Sequence, residues 1–514
     1  MNRFGAPTLP ANRSADVMLL LEGTYPFVSG GVSSWVHQII GGLSQLSFGI
    51  VFIGGTPQQY ERLRYKLPDN VVHHEEHYLS ERPQAGGVSP RRGDSRFYRA
   101  SGALHDAFKE ERSASSLAPA LEPVIAALLR EPLEHERDFL FSERAWDDIC
   151  RRYRASAADE SFLEYFWTVR SMHGPLFAMA RAATRVPAAR AFHVVSTGYA
   201  GFLGALVGRA RKRPLILTEH GIYTKERRIE LLQAPWIVDA EGAARAAPGS
   251  SIGYFRQLWI RLFETLGKMT YAAARPIVSL YEGNRERQIR DGAESVRTLV
   301  VPNGIDIERF VPLRSGRPAQ IPPILGLIGR VVPIKDIKTF IRALRVLVGE
   351  LAQVEGWIVG PEDEDKTYAE ECRDLVRTLA LETKVKFLGF QDVASIFPRL
   401  GLNVLTSISE AQPLVVLEGF AAGVPCVAPD VGCCRELIEG VSAEDRALGP
   451  AGAVVGIADP ETTARAALSL LRDPSRWRAA QRAGIARVEA YYTQRTMLER
   501  YRRIYDDALR APEA

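Results

Sequence analysis

Two glutamates, two cations, a histidine and a glycine pair have the type and spacing to do chemistry. Glu410 and Glu418 are separated by seven residues. The apolar run 402–405 before them reads as a short buried strand. Residues 414–422 read as a helix buried on nearly all sides, stopped by Gly423 with Pro425 two residues on. Glu410 then sits in a strand-to-helix turn, and Glu418 lies in the helix about two turns further on than Glu410. The first amides of that helix, at Leu414 and Val415, form an anion site. Taken singly, each glutamate reads as a helix cap or a buried, paired acid. Arg330 and Lys335 occupy a second such turn, after the apolar strand 324–329 and before a helix with Ile337, Phe340, Ile341 and Leu344 on one face. Two cations in a turn are usually just exposed. A guanidinium fork and an ammonium point charge beside a helix start also suit two phosphates. His220, in Thr218-Glu219-His220-Gly221, stands at the carboxyl end of a predicted parallel strand, where open α/β sheets gather ligands. His193 falls inside its strand and reads as a satisfied core histidine. Gly30-Gly31, between the first strand and its helix, permits close backbone approach to a phosphate or sugar.

The elements that must position these groups alternate strand and helix in two blocks. At 514 residues the chain is too long for one ordinary core. A formal net charge of +4, from 65 Lys+Arg against 61 Asp+Glu, argues against nucleic acid as a partner. The apolar run 17–21 is too short for a signal-peptide core, and no run of eighteen apolar residues occurs, so no membrane span is expected. Five scattered cysteines (Cys150, Cys372, Cys426, Cys433, Cys434) without a C-x-x-C pair read as reduced thiols in a cytoplasmic protein, the adjacent two as packing residues. Residues 1–15 read as a disordered lead-in. Strands are expected at 16–22, 48–54 and 70–79. A long loop follows at 80 to about 116, containing Pro90-Arg91-Arg92-Gly93-Asp94. Residues 117–181 are helical by pattern, anchored by Trp146, Tyr165, Phe166 and Trp167. Arg209, Arg211, Lys212 and Arg213 complement a helix C-terminus. Alternation resumes at 192 and runs to about 301, and prolines at 312, 318, 322 and 323 mark a linker. Cys426 to Gly432 reads as the last strand and its turn. Asp363-x-Asp365 reads as a helix cap, not a metal site. The expected boundaries are 1–312 with an insertion at about 80–181, then 323–491, then a terminal amphipathic helix at 492–514.

In order along the chain, Gly30-Gly31, Arg330-x4-Lys335 and Glu410-x7-Glu418 with its Ala-Ala-Gly-Val-Pro exit resemble the retaining GT-B glycosyltransferases of the family 4 type. The resemblance spans nearly the whole chain. It implies an α/β architecture of two Rossmann-like domains facing across a cleft, with a helical insertion in the first and a C-terminal helix crossing back. It also implies that Arg330 and Lys335 hold a donor diphosphate, with Gly30 and Gly31 against the donor's phosphates. Glu418 would bind ribose hydroxyls, Glu410 a sugar hydroxyl, and His220 the donor sugar from the opposite domain. Fixed positive groups (Arg330, Lys335 and the amides at Leu414 and Val415) can stabilise the leaving diphosphate, so no metal or cofactor is required. Residues 22–26, 30–35, 195–201 and 360–365, with the long insertion, are similar to the cytoplasmic glycosyltransferases of Pel exopolysaccharide systems. That implies UDP-glucose as donor, a polysaccharide acceptor, and a membrane-bound synthase complex as partner at the inner membrane face. Family members often carry Gly-Phe after the first glutamate, where this chain has Ala411-Gln412. Other readings are a different GT-B enzyme, such as a UDP-sugar 2-epimerase, and a non-catalytic sugar-nucleotide sensor.

Overall fold

The computed structural model describes residues 5–10, 13–81, 91–109, 114–238 and 252–511. The chain divides into two compact units: Met1–Val300 with Tyr501–Ala514, and Val301–Arg500. Parts of the expected lead-in (1–4, 11–12) and of the expected loop (82–90, including Pro90, and 110–113) lie outside the described residues.

The first unit is built on seven parallel strands: β1 Ala15–Glu22, β2 Phe48–Gly54, β3 Val71–Tyr78, β4 Ala189–Val194, β5 Leu215–Glu219, β6 Ile277–Ser279 and β7 Thr298–Val300. Their order is β3-β2-β1-β4-β5-β6-β7. β1 and β2 are apolar almost throughout because helices cover both faces of a parallel sheet. The strand order reverses between β1 and β4, a switch point of the kind at whose carboxyl edge open α/β sheets bind ligands. Two expectations change here. The described lead-in is not loose: the His74 amide donates to the Pro7 carbonyl at 2.9 Å, and the Leu9 amide to His73 Nδ1 at 3.1 Å. Within the expected loop, Ser95–Ala107 is a helix. Its Arg- and Ser-rich sequence hides the period, yet it is held by the helices around it, with Leu104 and Ala107 in their core. Four more helices complete the insertion, Ala114–Arg130, Pro132–Phe141, Glu143–Ser156 and Phe162–Arg185. Of the expected aromatic anchors, Tyr165 is buried, but Trp146 and Trp167 lie about half exposed on the outer face. Near the chain end, Tyr505 Oη bonds His193 Nδ1 at 2.8 Å, and Tyr501 Oη lies 3.2 Å from Thr218 Oγ1.

The second unit carries six parallel strands: β8 Ile324–Ile328, β9 Glu355–Val359, β10 Val385–Gly389, β11 Leu402–Val404, β12 Cys426–Pro429 and β13 Gly452–Val455. Their order is β10-β9-β8-β11-β12-β13. β12 is therefore not the last strand. Gly and Pro punctuation around β13 masks a four-residue run that pairs with β12 from Cys426 to Pro429. Here the order reverses between β8 and β11. Asp365 caps the following Lys366–Thr378 helix through the Tyr368 amide (2.9 Å), as its charged run suggested.

Candidate active site

The β8–β11 reversal brings two turns together. The turn after β8 carries Arg330 and Lys335, and the turn after β11 carries Thr406 to Pro413. They are stitched by the Ile408 amide, which donates to the Ile334 carbonyl at 2.9 Å. Buried Thr406 Oγ1 lies 3.0 Å from the Lys335 carbonyl and 2.9 Å from that of Asp336. Asp336 takes a left-handed conformation (φ 44°) and caps the Ile337–Glu350 helix through the Thr339 amide. Lys335 is thus held at a helix start by the chain on both sides. Its ammonium pairs with Glu410 Oε1, which also accepts from Ser407 Oγ at 2.6 Å. Gly432 fixes the Glu410 backbone from beneath. Its φ is +55°, and a Cβ there would lie 2.3 Å from the Glu410 carbonyl oxygen. Arg330 reaches outward, and its Nη1 takes both oxygens of Glu364 at 2.5 and 2.7 Å.

The Leu414–Ala421 helix begins after Pro413 with no side-chain cap. Its first amides, Leu414 and Val415, have no partner within the helix and leave a partial positive charge at the same edge. Asn403 Nδ2 secures the helix by donating to the Val415 carbonyl at 3.0 Å. Glu418, a turn further, is mostly buried. Desolvation raises its pKa, opposed by Arg309 and assisted by Asp392. The departure at Ala411-Gln412 has a local explanation. Buried Gln412 accepts the Asn303 amide at Oε1 (2.7 Å) and lies 3.5 Å from the Asn303 carbonyl through Nε2, tying the turn to the Pro-Asn-Gly bend at 302–304.

In the first unit, Gly30 and Gly31 open the Gly31–Gly42 helix, whose Trp35 packs edge-on against His220 with ring centroids 4.9 Å apart. His220 follows the last residue of β5 and is 8 % exposed. Its Nε2 is buried without a hydrogen-bond partner among the described residues. Desolvation pushes its pKa down to about 4, so at neutral pH it is an uncharged imidazole that can meet a hydroxyl. His193 is the core histidine expected of it, with Tyr505 at Nδ1 and Thr218 Oγ1 3.0 Å from Nε2. Glu219 and Glu22, at the ends of β5 and β1, did not stand out from the sequence. A carboxylate closing an apolar strand was the available signal. A cavity of about 550 Å³ between Leu121, Ile125, Met269 and Leu215 lies at the opposite, amino-terminal end of β5 and contains none of these residues.

Residues 15–296 match the family described as Domain of unknown function (DUF3492), and residues 322–473 match Glycosyl transferases group 1. The chain is similar to a D-inositol 3-phosphate glycosyltransferase of Kineococcus radiotolerans, 29% identical over 295 residues that cover 52% of this chain and 63% of the relative. It therefore spans less than two thirds of that curated relative. Among solved structures, it resembles Anabaena HepE in complex with UDP and glucose (TM-score 0.55, 15% identity, 96% of this chain and 99% of that one). It also resembles a sucrose-phosphate synthase of Thermosynechococcus elongatus (TM-score 0.55, 16% identity, 96% and 99%). At such identities the likeness establishes the fold, which is GT-B. With its model matched over more than half of the chain, the protein belongs to the DUF3492 family and joins that region to a glycosyl transferases group 1 domain.

Proposed function

We propose that the protein is a retaining glycosyltransferase that takes a hexosyl group from a UDP-sugar, with UDP-glucose preferred. The observation that carries this reading is the convergence of Arg330, Lys335, Glu410 and the uncapped Leu414–Ala421 helix at the strand-order reversal of the second unit. Breaking a sugar–phosphate bond leaves negative charge on the diphosphate and an oxocarbenium-like sugar. Arg330, Lys335 and the amides of Leu414 and Val415 stabilise the first, a role for which no divalent ion is invoked. Both side chains are held by carboxylates that a diphosphate can displace, and the exposed Arg330–Glu364 pair contributes only about 0–1 kcal/mol. Glu418 would accept two ribose hydroxyls, and Glu410, freed from Lys335, a sugar hydroxyl. The uncharged His220 would meet the donor sugar, with Gly30 and Gly31 near the phosphates.

The finer reading is a PelF-like role. The chain would extend an exopolysaccharide of the Pel type at the inner membrane face, in partnership with a membrane-bound synthase complex, with the insertion carrying acceptor or partner contacts. Support comes from the motifs at 22–26, 30–35, 195–201 and 360–365, and from structural neighbours whose names include UDP and UDP-glucose. Among the described residues no helix is long and apolar enough to cross a membrane. The test is donor hydrolysis and transfer from UDP-glucose, UDP-N-acetylglucosamine, ADP-glucose and GDP-mannose, each with and without EDTA. UDP-glucose turnover that survives EDTA supports the reading. Turnover confined to ADP- or GDP-sugars, or abolished by EDTA, overturns the donor or the metal-independent chemistry respectively.

A further inference from the structure

Two buried carboxylates of the first unit hold one short segment from opposite sides. Glu219, fully buried, accepts four hydrogen bonds from four places in the chain. Tyr271 Oη (2.7 Å) and Gln288 Nε2 (3.0 Å) reach Oε2, while Thr197 Oγ1 (3.2 Å) and the Tyr223 amide (3.4 Å) reach Oε1. Glu22 accepts the Ala200 amide at Oε2 (3.1 Å) and Tyr223 Oη at Oε1 (3.0 Å). Arg227 Nη2 donates to that same phenol oxygen at 2.9 Å, its guanidinium resting on the Phe263 ring. Tyr223 is therefore held by its amide to one acid and by its hydroxyl to the other. Gly198 leaves room for this, since a Cβ there would lie 2.4 Å from the Tyr223 ring and 2.7 Å from Glu22 Oε2. Between the two anchors runs Glu219-His220-Gly221-Ile222-Tyr223, whose His220 carbonyl accepts Asn284 Nδ2 at 3.3 Å.

We infer that Glu219 and Glu22 act as positioning residues, a two-carboxylate clamp that fixes His220 in the orientation the reaction uses. This rests on the reading that His220 meets the donor sugar. Only the ionised form of Glu219 can accept all four donors. A proton on either oxygen must displace one, because Tyr271, Gln288, Thr197 and the Tyr223 amide all present hydrogens to it. Two uncharged imidazoles, His220 in the segment and His193 behind Thr218, share this part of the sheet, and Arg227 lies beyond Tyr223 on the Glu22 side. Arg287 and Asp291 form an ion pair near the Tyr271 end. Burial pushes the Glu219 carboxyl up to about 7, so its charge state changes within the working range of pH. The clamp is firm above that point and loosens below it.

The test uses the full chain with Glu219→Gln and, as a milder change, Tyr271→Phe. Glu219→Gln is expected to lower kcat for UDP-glucose turnover about 10- to 100-fold with the donor KM within twofold. It should also erase an acid-side inflection near pH 7 in the wild-type profile. Tyr271→Phe removes one donor to the anion and should move that inflection upward. Amide hydrogen exchange at Tyr223 should quicken at least tenfold in Glu219→Gln at unchanged UDP affinity. Wild-type exchange at Tyr223, or an unaltered inflection in both variants, overturns the clamp. Should the wild-type chain turn over no sugar nucleotide, the proposed function fails, and the exchange measurement still decides the clamp.

Discussion

The polar groups of the two units are built on different principles. All nine histidines lie in the first unit, where the polar residues at the carboxyl edge of the sheet are desolvated and Glu219 and His193 are held by fixed neutral partners. At the corresponding edge of the second unit, the groups are charged, partly exposed, and paired with side chains that can swing away. Burial makes the first arrangement rigid and shifts its titrations. Exposure leaves the second exchangeable, as a site for a diphosphate needs to be. One unit is suited to holding an uncharged histidine still, and the other to trading an internal carboxylate for a ligand's phosphates.

Acid should separate the units most strongly. Burial holds His193 near 3, and His173 and His220 near 4, each well below the ordinary histidine value. The unfolded chain then binds more protons than the folded one between about pH 6.5 and 4. Stability present above 6.5 is lost as pH falls through that window. Each shift is worth roughly 3 kcal/mol, and three of them rival the whole stability of a domain. Glu219, with Glu22 and Glu226 in the same unit, opposes this, because a carboxyl raised by burial favours the folded form as it takes up a proton. The first unit should unfold before the second as pH is lowered to 4, as read by hydrogen exchange along the chain. Loss of the second unit first would break the contrast.

The next largest effect probes whether exposure is what makes a cation exchangeable. Arg487 in the second unit is wholly buried, bonded to Asp445 Oδ1 at 2.6 Å and to the carbonyls of Ile438, Asp445 and Gly449 at 2.8–3.0 Å. Arg487→Ala leaves the buried Asp445 carboxylate without its ion-pair partner and takes one donor from each of three carbonyls. It should destabilise that unit by about 3–5 kcal/mol, seen in denaturant melts. Arg330→Ala should instead leave the melt within about 0.5 kcal/mol, as surface changes do. It should cost turnover about 10²–10³-fold, the size expected for one charge-stabilising group. A destabilised Arg330→Ala would blur the distinction. The smallest effect belongs to Glu364→Gln, which removes the competitor for Arg330. UDP should bind a few-fold tighter, in keeping with an exposed pair worth under about 1 kcal/mol. Weaker binding would mean that Glu364 itself supports the ligand.

The framework was legible because covered parallel strands leave unbroken apolar runs, and because the turns after β8 and β11 carry their cations and acids in recognisable spacing. The Ser95–Ala107 helix was not, since its arginines, serines and glycine break the apolar period and its partners are distant in sequence. β13 was too short between glycines. Gln412 was visible only as a departure from a pattern. Its partner is a backbone more than a hundred residues away, and spacing alone cannot encode that. Glu219 was read as part of a motif around His220. Its four partners come from four separated segments, so its weight emerges only in three dimensions.

In the proposed reaction, Lys335 and Arg330 exchange their carboxylates for a diphosphate. Calorimetric titration of UDP-glucose into the wild-type chain and into Lys335→Ala, both in EDTA, tests it most directly. Saturable wild-type binding that weakens with salt is expected, with at least a hundredfold loss in the variant at unchanged thermal stability. Equal affinity in the two proteins would contradict it.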